Sequence, residues 1–166
     1  NNPELLAATN MIVAAGGGER DIEVDSAIME IVSKSDNPGA ELNAQLNGEL
    51  RPTLFLAQLS NLMAGNISIV HGVTDSSRTF MGEETAGVTA IETAVAQIEH
   101  DQGEVFLVGG AYIAERADMT MLMEFGHTLW SGEHCPVWAR KDTEGGMIMG
   151  SAGVFLILES REHAQA

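Results

Sequence analysis

The sequence predicts an α/β layered domain with a mixed central sheet, and three observations carry that prediction. Val154-Phe-Leu-Ile-Leu-Glu159 is a continuous apolar run of the kind that forms a strand covered on both faces. Val88, Ile91, Ala94, Val95 and Ile98 recur at helical spacing. Between them Val105-Phe-Leu-Val-Gly-Gly110 is a short apolar segment ending in glycines, so strand, helix and strand alternate through the second half.

Taken in order, Asn10-Met-Ile-Val-Ala-Ala15 reads as a buried strand entering a loop at Gly16-Gly17-Gly18. Asp25 is placed as the N-cap of a helix over 26–34, with Ile28, Ile31 and Val32 on one face. Asn37-Pro38-Gly39 is a break, and 40–52 is polar with weak periodicity, a loop with some helix. Leu54 to Leu62 is apolar enough for a mostly buried helix. Ile67-Ser-Ile-Val70 and Arg78-Thr-Phe-Met81 read as short buried strands, and a helix over 85–99 follows the second. Asp118 to Phe125 is methionine-rich and helical, and 126–146 is irregular, broken by Gly132, Pro136 and Gly145-Gly146.

The chain has 166 residues, enough for one domain with a core of its own. Its net charge of −16 comes from a shortage of bases, eight against 24 acids. Nucleic-acid binding needs a basic footprint and is not expected. The same balance argues against docking through this segment alone on an anionic membrane or an acidic protein. Cys135 is the single cysteine, which rules out an internal disulfide and points to a reducing compartment. No apolar run approaches the roughly 20 residues that span a bilayer. The start, Asn-Asn-Pro-Glu-Leu-Leu, lacks the basic and apolar pattern of a signal peptide, so a cytoplasmic location is expected.

The most informative stretch is Met81-Gly82-Glu83-Glu84-Thr85-Ala86-Gly87, a turn of small and acidic residues where a strand meets a helix. With its flanks it resembles the nucleophile elbow of the β-ketoacyl–acyl-carrier-protein synthases, the condensing enzymes of fatty acid synthesis. Other pieces resemble that family in the same order. Leu59-Ser-Asn-Leu-Met-Ala-Gly-Asn-Ile-Ser-Ile69 is similar to the helix before the elbow, and His71-Gly72 to a Tyr-Gly pair. Val105-Phe-Leu-Val-Gly-Gly-Ala111 is similar to the strand and glycine pair after it. Gly146-Met-Ile-Met-Gly150 with Val154 to Glu159 resembles the closing loop and strand, and His163-Ala164 the helix that follows. Residues 1–50 match less, apart from Ile12-Val-Ala-Ala-Gly-Gly-Gly18.

The resemblance implies a thiolase-like layered αβαβα fold, with residues 1–166 as a partial N-terminal half. By that reading the family's opening strand and helix, and the C-terminal half with its catalytic histidines and lysine, lie outside this chain. The five histidines present do not match those positions. It also implies that Glu84 stands where the family has its acyl-accepting cysteine. A thiolate there is favoured by the helix N-terminus and stores the acyl group as a thioester. A carboxylate would give a mixed anhydride, a poor store, so elongation by this subunit alone is not expected. The expectation is a non-condensing partner or chain-length-factor-like subunit of fatty acid or polyketide synthesis. The alternative is an active acyltransferase or decarboxylase acting on malonyl–acyl-carrier protein. Read without the resemblance, Glu83 and Glu84 are two acids in the first turn of a helix, each gaining about 0.3–1 kcal/mol from the macrodipole.

Family position also implies an acyl pocket at Leu54, Phe55, Met123 and Phe125, and a dimer interface at Arg78, Thr79, Phe80 and Met81, with Leu54 and Phe55 near it. Ordinary core packing explains the methionines Met119, Met121 and Met123 equally well. The implied partners are acyl carrier protein and either a second copy or an active synthase subunit. Cys135 follows His134, yet adjacent side chains rarely face each other and no elbow surrounds them, so no catalytic role is assigned. Asp21-x-Glu23-x-Asp25 lacks the glycine and distal glutamate of a calcium loop and reads as the wet face of an extended segment, so no metal is expected. The glycine clusters have neither dinucleotide nor phosphate-loop spacing, so no cofactor is expected.

Overall fold

The computed structural model describes residues 2–18, 20–49, 52–82, 85–141 and 145–166, with Pro52, Leu54 and Phe55 described in their backbone alone. The chain divides into two compact units, 1–111 with 153–166, and 112–152.

The first unit is built on a four-stranded sheet in the order β2-β1-β3-β4. The strands are β1 (Asn10–Ala15), β2 (Ser77–Met81), β3 (Val105–Tyr112) and β4 (Ala152–Glu159). β1 is parallel to both neighbours, with Val13 opposite Thr79 and Ile12 opposite Val108. β4 runs the other way. The Ser160 N–H donates to the Glu104 carbonyl at 2.8 Å at one end, and Gly153 meets Ala111 at the other. The sheet is therefore mixed, as the sequence predicts.

Alternation along β1 builds the core, because successive side chains of a strand point to opposite faces. Met11 and Val13 pack with Ala64 of α5 (Leu62–His71) and with Val73. Ile12, on the other face, packs with Ala90 and Ala94 of α6 (Ala86–Glu99) and with Phe106 and Val108 of β3. Ala86, Ala90 and Ala94 lie four residues apart on one stripe, and all three are buried. Small residues let the helix lie close against the sheet. Val88, Ile91 and Val95, which carry most of the helical periodicity, point away from it and are exposed.

Several expectations are corrected. Ile67–Val70 is helical, inside α5, which ends on Gly72 in the left-handed conformation at φ 75°. A four-residue apolar run carries no period long enough to separate strand from helix, and the helix formers Leu62, Met63 and Ala64 decide it. The second helix, α2 (Ile22–Ser33), is capped by Asp21, whose carboxylate accepts from the Val24 N–H at 3.2 Å. Asp25 lies in its first turn and pairs with Arg20 at 2.7 Å, so 22–25 is helical and only the cap Asp21 is extended. The polar stretch after the break is a full helix, α3 (Pro38–Glu49). Proline suits its first position, Asn37 accepts from Ala40, and Gln45 donates to Glu41 one turn back. The helix expected over 54–62 is the shorter α4 (Pro52–Ala57), and Leu59 and Leu62 beyond it are exposed. A short α1 (Pro3–Ala7) opens the chain and α8 (Arg161–Gln165) closes it.

Burial of β4 and β2 also differs from expectation. Val154 is 65% exposed and Ile157 68%, because α5 and α6 both sit over β1 while β4 is at the sheet edge. Leu158 alone of its apolar residues packs against the Phe106 cluster. On the opposite edge Phe80 of β2 packs against that cluster too, while Met81 is exposed.

The second unit holds α7 (Ala117–Phe125) and an irregular stretch with one short 3-10 turn at Val137–Ala139. Leu129 and Met147 pair as an isolated bridge. The Trp130 N–H donates to the Met147 carbonyl at 2.9 Å, beside that bridge.

Candidate active site

β2 ends at Met81, and the chain then passes Gly82 at φ 148°, a backbone region that L side chains rarely adopt. Thr85 is the N-cap of α6, and its side chain makes no capping hydrogen bond. Strand β2, Gly82 and the 14-residue helix α6 thus follow one another along the chain. Glu83 and Glu84, the first of which follows Gly82 in the sequence, lie outside the described residues. In the sequence they directly precede Thr85 and the positive end of α6, where negative charge is favoured.

Register places other elements at the same end of the sheet. Ala15 is opposite Met81, so Gly16–Gly18 and Gly82 leave the sheet at one level. The chain at Gly18 passes so close to α4 that a Cβ there would stand 1.9 Å from the Ala57 carbonyl oxygen. That contact brings α4, which carries Leu54 and Phe55 in its backbone, to the loop that follows β1. In open sheets the carboxyl ends of parallel strands are the usual place for a ligand.

The remaining predicted positions are distributed differently. Arg78 is exposed, Thr79 and Phe80 are half-buried, and Met81 is exposed, all on the outer strand β2. Met123 and Phe125 lie on α7, in the second unit. Met123 is half-buried and its Sδ accepts from the Thr128 hydroxyl at 3.3 Å, whereas Phe125 is 75% exposed.

Two arrangements had no sequence signal. Arg116 holds Asp118 through two contacts, Nη2 to Oδ2 at 2.6 Å and Nε to Oδ1 at 3.2 Å. The guanidinium keeps the Asp118 carboxyl below its ordinary range, opposed in part by desolvation and helped by the Met119 N–H. Arg140 stacks on Trp130 and donates to the Gly146 carbonyl. Among the described residues no three histidine, cysteine or acidic side chains gather as a metal site would require. Among them, too, no helix is long and apolar enough to cross a membrane.

The family description "β-ketoacyl synthase, N-terminal domain" matches residues 3–164. The chain belongs to that family. No curated protein sequence matches it, but solved ketosynthases share its fold. One is a type II polyketide-synthase acyl-carrier protein in complex with its ketosynthase bound to the hexaketide. It is 21% identical at a TM-score of 0.66, over 99% of this chain and 42% of that one. A β-ketoacyl synthase from Burkholderia phymatum is 18% identical at 0.66, over 99% and 38%. The ishigamide ketosynthase/chain length factor is 17% identical at 0.59, over 94% and 37%. The chain thus spans about two fifths of the length of these ketosynthase structures.

Proposed function

We propose that this ketosynthase-family chain is part of a non-condensing subunit of fatty acid or polyketide chain elongation. In this reading it pairs with an active synthase, as a chain length factor does, and helps to shape the tunnel that receives the growing acyl chain. One observation carries the proposal. The sequence has a glutamate, Glu84, between Gly82 and α6, and by resemblance we take it to stand where the family's condensing members have their cysteine. A carboxylate at a helix N-terminus is well placed electrostatically, but it cannot hold an acyl group as a thioester.

Support comes from the solved relatives, among which are a ketosynthase/chain length factor and a ketosynthase in complex with its acyl-carrier protein. The edge position of β2 suits Arg78, Thr79, Phe80 and Met81 to a subunit interface. Leu54, Phe55, Met123 and Phe125 are the positions proposed to line the acyl tunnel. The single cysteine fits a cytoplasmic setting.

The test uses the complete protein, its partner synthase and malonyl–acyl-carrier protein. Expected outcomes are a stable complex with the active synthase and an unchanged mass of malonyl–acyl-carrier protein when the protein is incubated alone. Isolation only as a self-associated species would overturn the partner role. Loss of carbon dioxide from the malonyl group would establish the decarboxylase reading instead.

A further inference from the structure

We draw no further inference here: the strongest candidate, the open depression in the 112–152 unit where His134 and Cys135 lie beside Trp130, rests on a lone cysteine with no second observation among the described residues that points to a ligand.

Discussion

The guanidinium carbon of Arg140 lies 4.5 Å from the centroid of the Trp130 ring. The same guanidinium donates through Nη1 to the Gly146 carbonyl. These contacts hold Arg140 against Trp130 and Gly146, next to the Leu129–Met147 bridge. A planar, delocalised cation can stack and donate sideways at once, which an ammonium cannot. Arg140→Ala should therefore cost about 2–4 kcal/mol, the sum of a cation–π contact and a charged hydrogen bond. Trp138 is 94% exposed and would mask the signal, so the measurement belongs in a Trp138→Phe background. There the emission of Trp130 should shift to the red on Arg140→Ala. Unchanged emission would mean that the stack does not form in solution.

Gly109 marks the close approach of β3 to β4. A Cβ at this position would stand 2.3 Å from the Val154 carbonyl oxygen and 2.7 Å from the Phe155 Cα. Both atoms are backbone, so relief requires the strands to move apart. Gly109→Ala should cost about 1–3 kcal/mol, the usual range for overpacking, and lower the midpoint of urea unfolding. Gly87→Ala is the control, because a Cβ there meets no atom within 4 Å and alanine is the better helix former. Equal midpoints for the two variants would show that β4 is not held against β3.

These two sites show where sequence reading stops. β1, β3, β4 and the helices α6 and α7 were legible because each has an apolar run or a period of adequate length. Ile67–Val70 was not, since four apolar residues fit either state and the preceding turn of α5 decides. The cap of α2 was misplaced because Asp21 and Asp25 are both acceptable caps, and only the backbone separates them. Burial of β4 misled for a different reason. A continuous apolar strand predicts two covered faces, but cover comes from other elements, and α5 and α6 lie over β1. The order of β2, Gly82 and α6 was legible because a short apolar strand and a long helical period flank the glycine. The Trp130–Arg140 stack joins residues ten apart outside any helix or strand period and leaves no periodic trace.

Asp118 gives a prediction about pH. Its carboxyl is held below the ordinary 3.8, first by the Arg116 hydrogen bond. A carboxyl with a lowered folded value contributes stability that is present above its unfolded value and lost as pH falls through the folded one. The unfolding midpoint of the native chain should therefore fall between about pH 4 and the lower folded value. Asp118→Asn should flatten that part of the profile while lowering stability at neutral pH. Parallel profiles for the two proteins would remove Asp118 as a source of the acid sensitivity.

The identity of residue 84 leads to the last prediction, which rests on the proposed register of the elbow with the condensing enzymes. Decarboxylation of a malonyl thioester breaks the bond to the carboxyl carbon, releases carbon dioxide and leaves the electron pair as an enolate on the thioester oxygen. An enolate is stabilised by hydrogen-bond donors and repelled by a second negative charge. An ionised glutamate at position 84 offers acceptors only, whereas a glutamine can donate an N–H. A single well-placed donor of this kind is worth about 10²–10³ in rate. Glu84→Gln in the complete protein should thus raise the release of carbon dioxide from malonyl–acyl-carrier protein by tenfold or more, with acetyl–acyl-carrier protein as the product read by intact mass. Glu84→Ala separates the two contributions, since it removes the charge without adding a donor and should fall between the native protein and the glutamine variant. A rate that rises equally in both variants would leave charge repulsion as the whole effect. No rise in either, in protein shown to be folded, would mean that residue 84 does not face the reacting carbon.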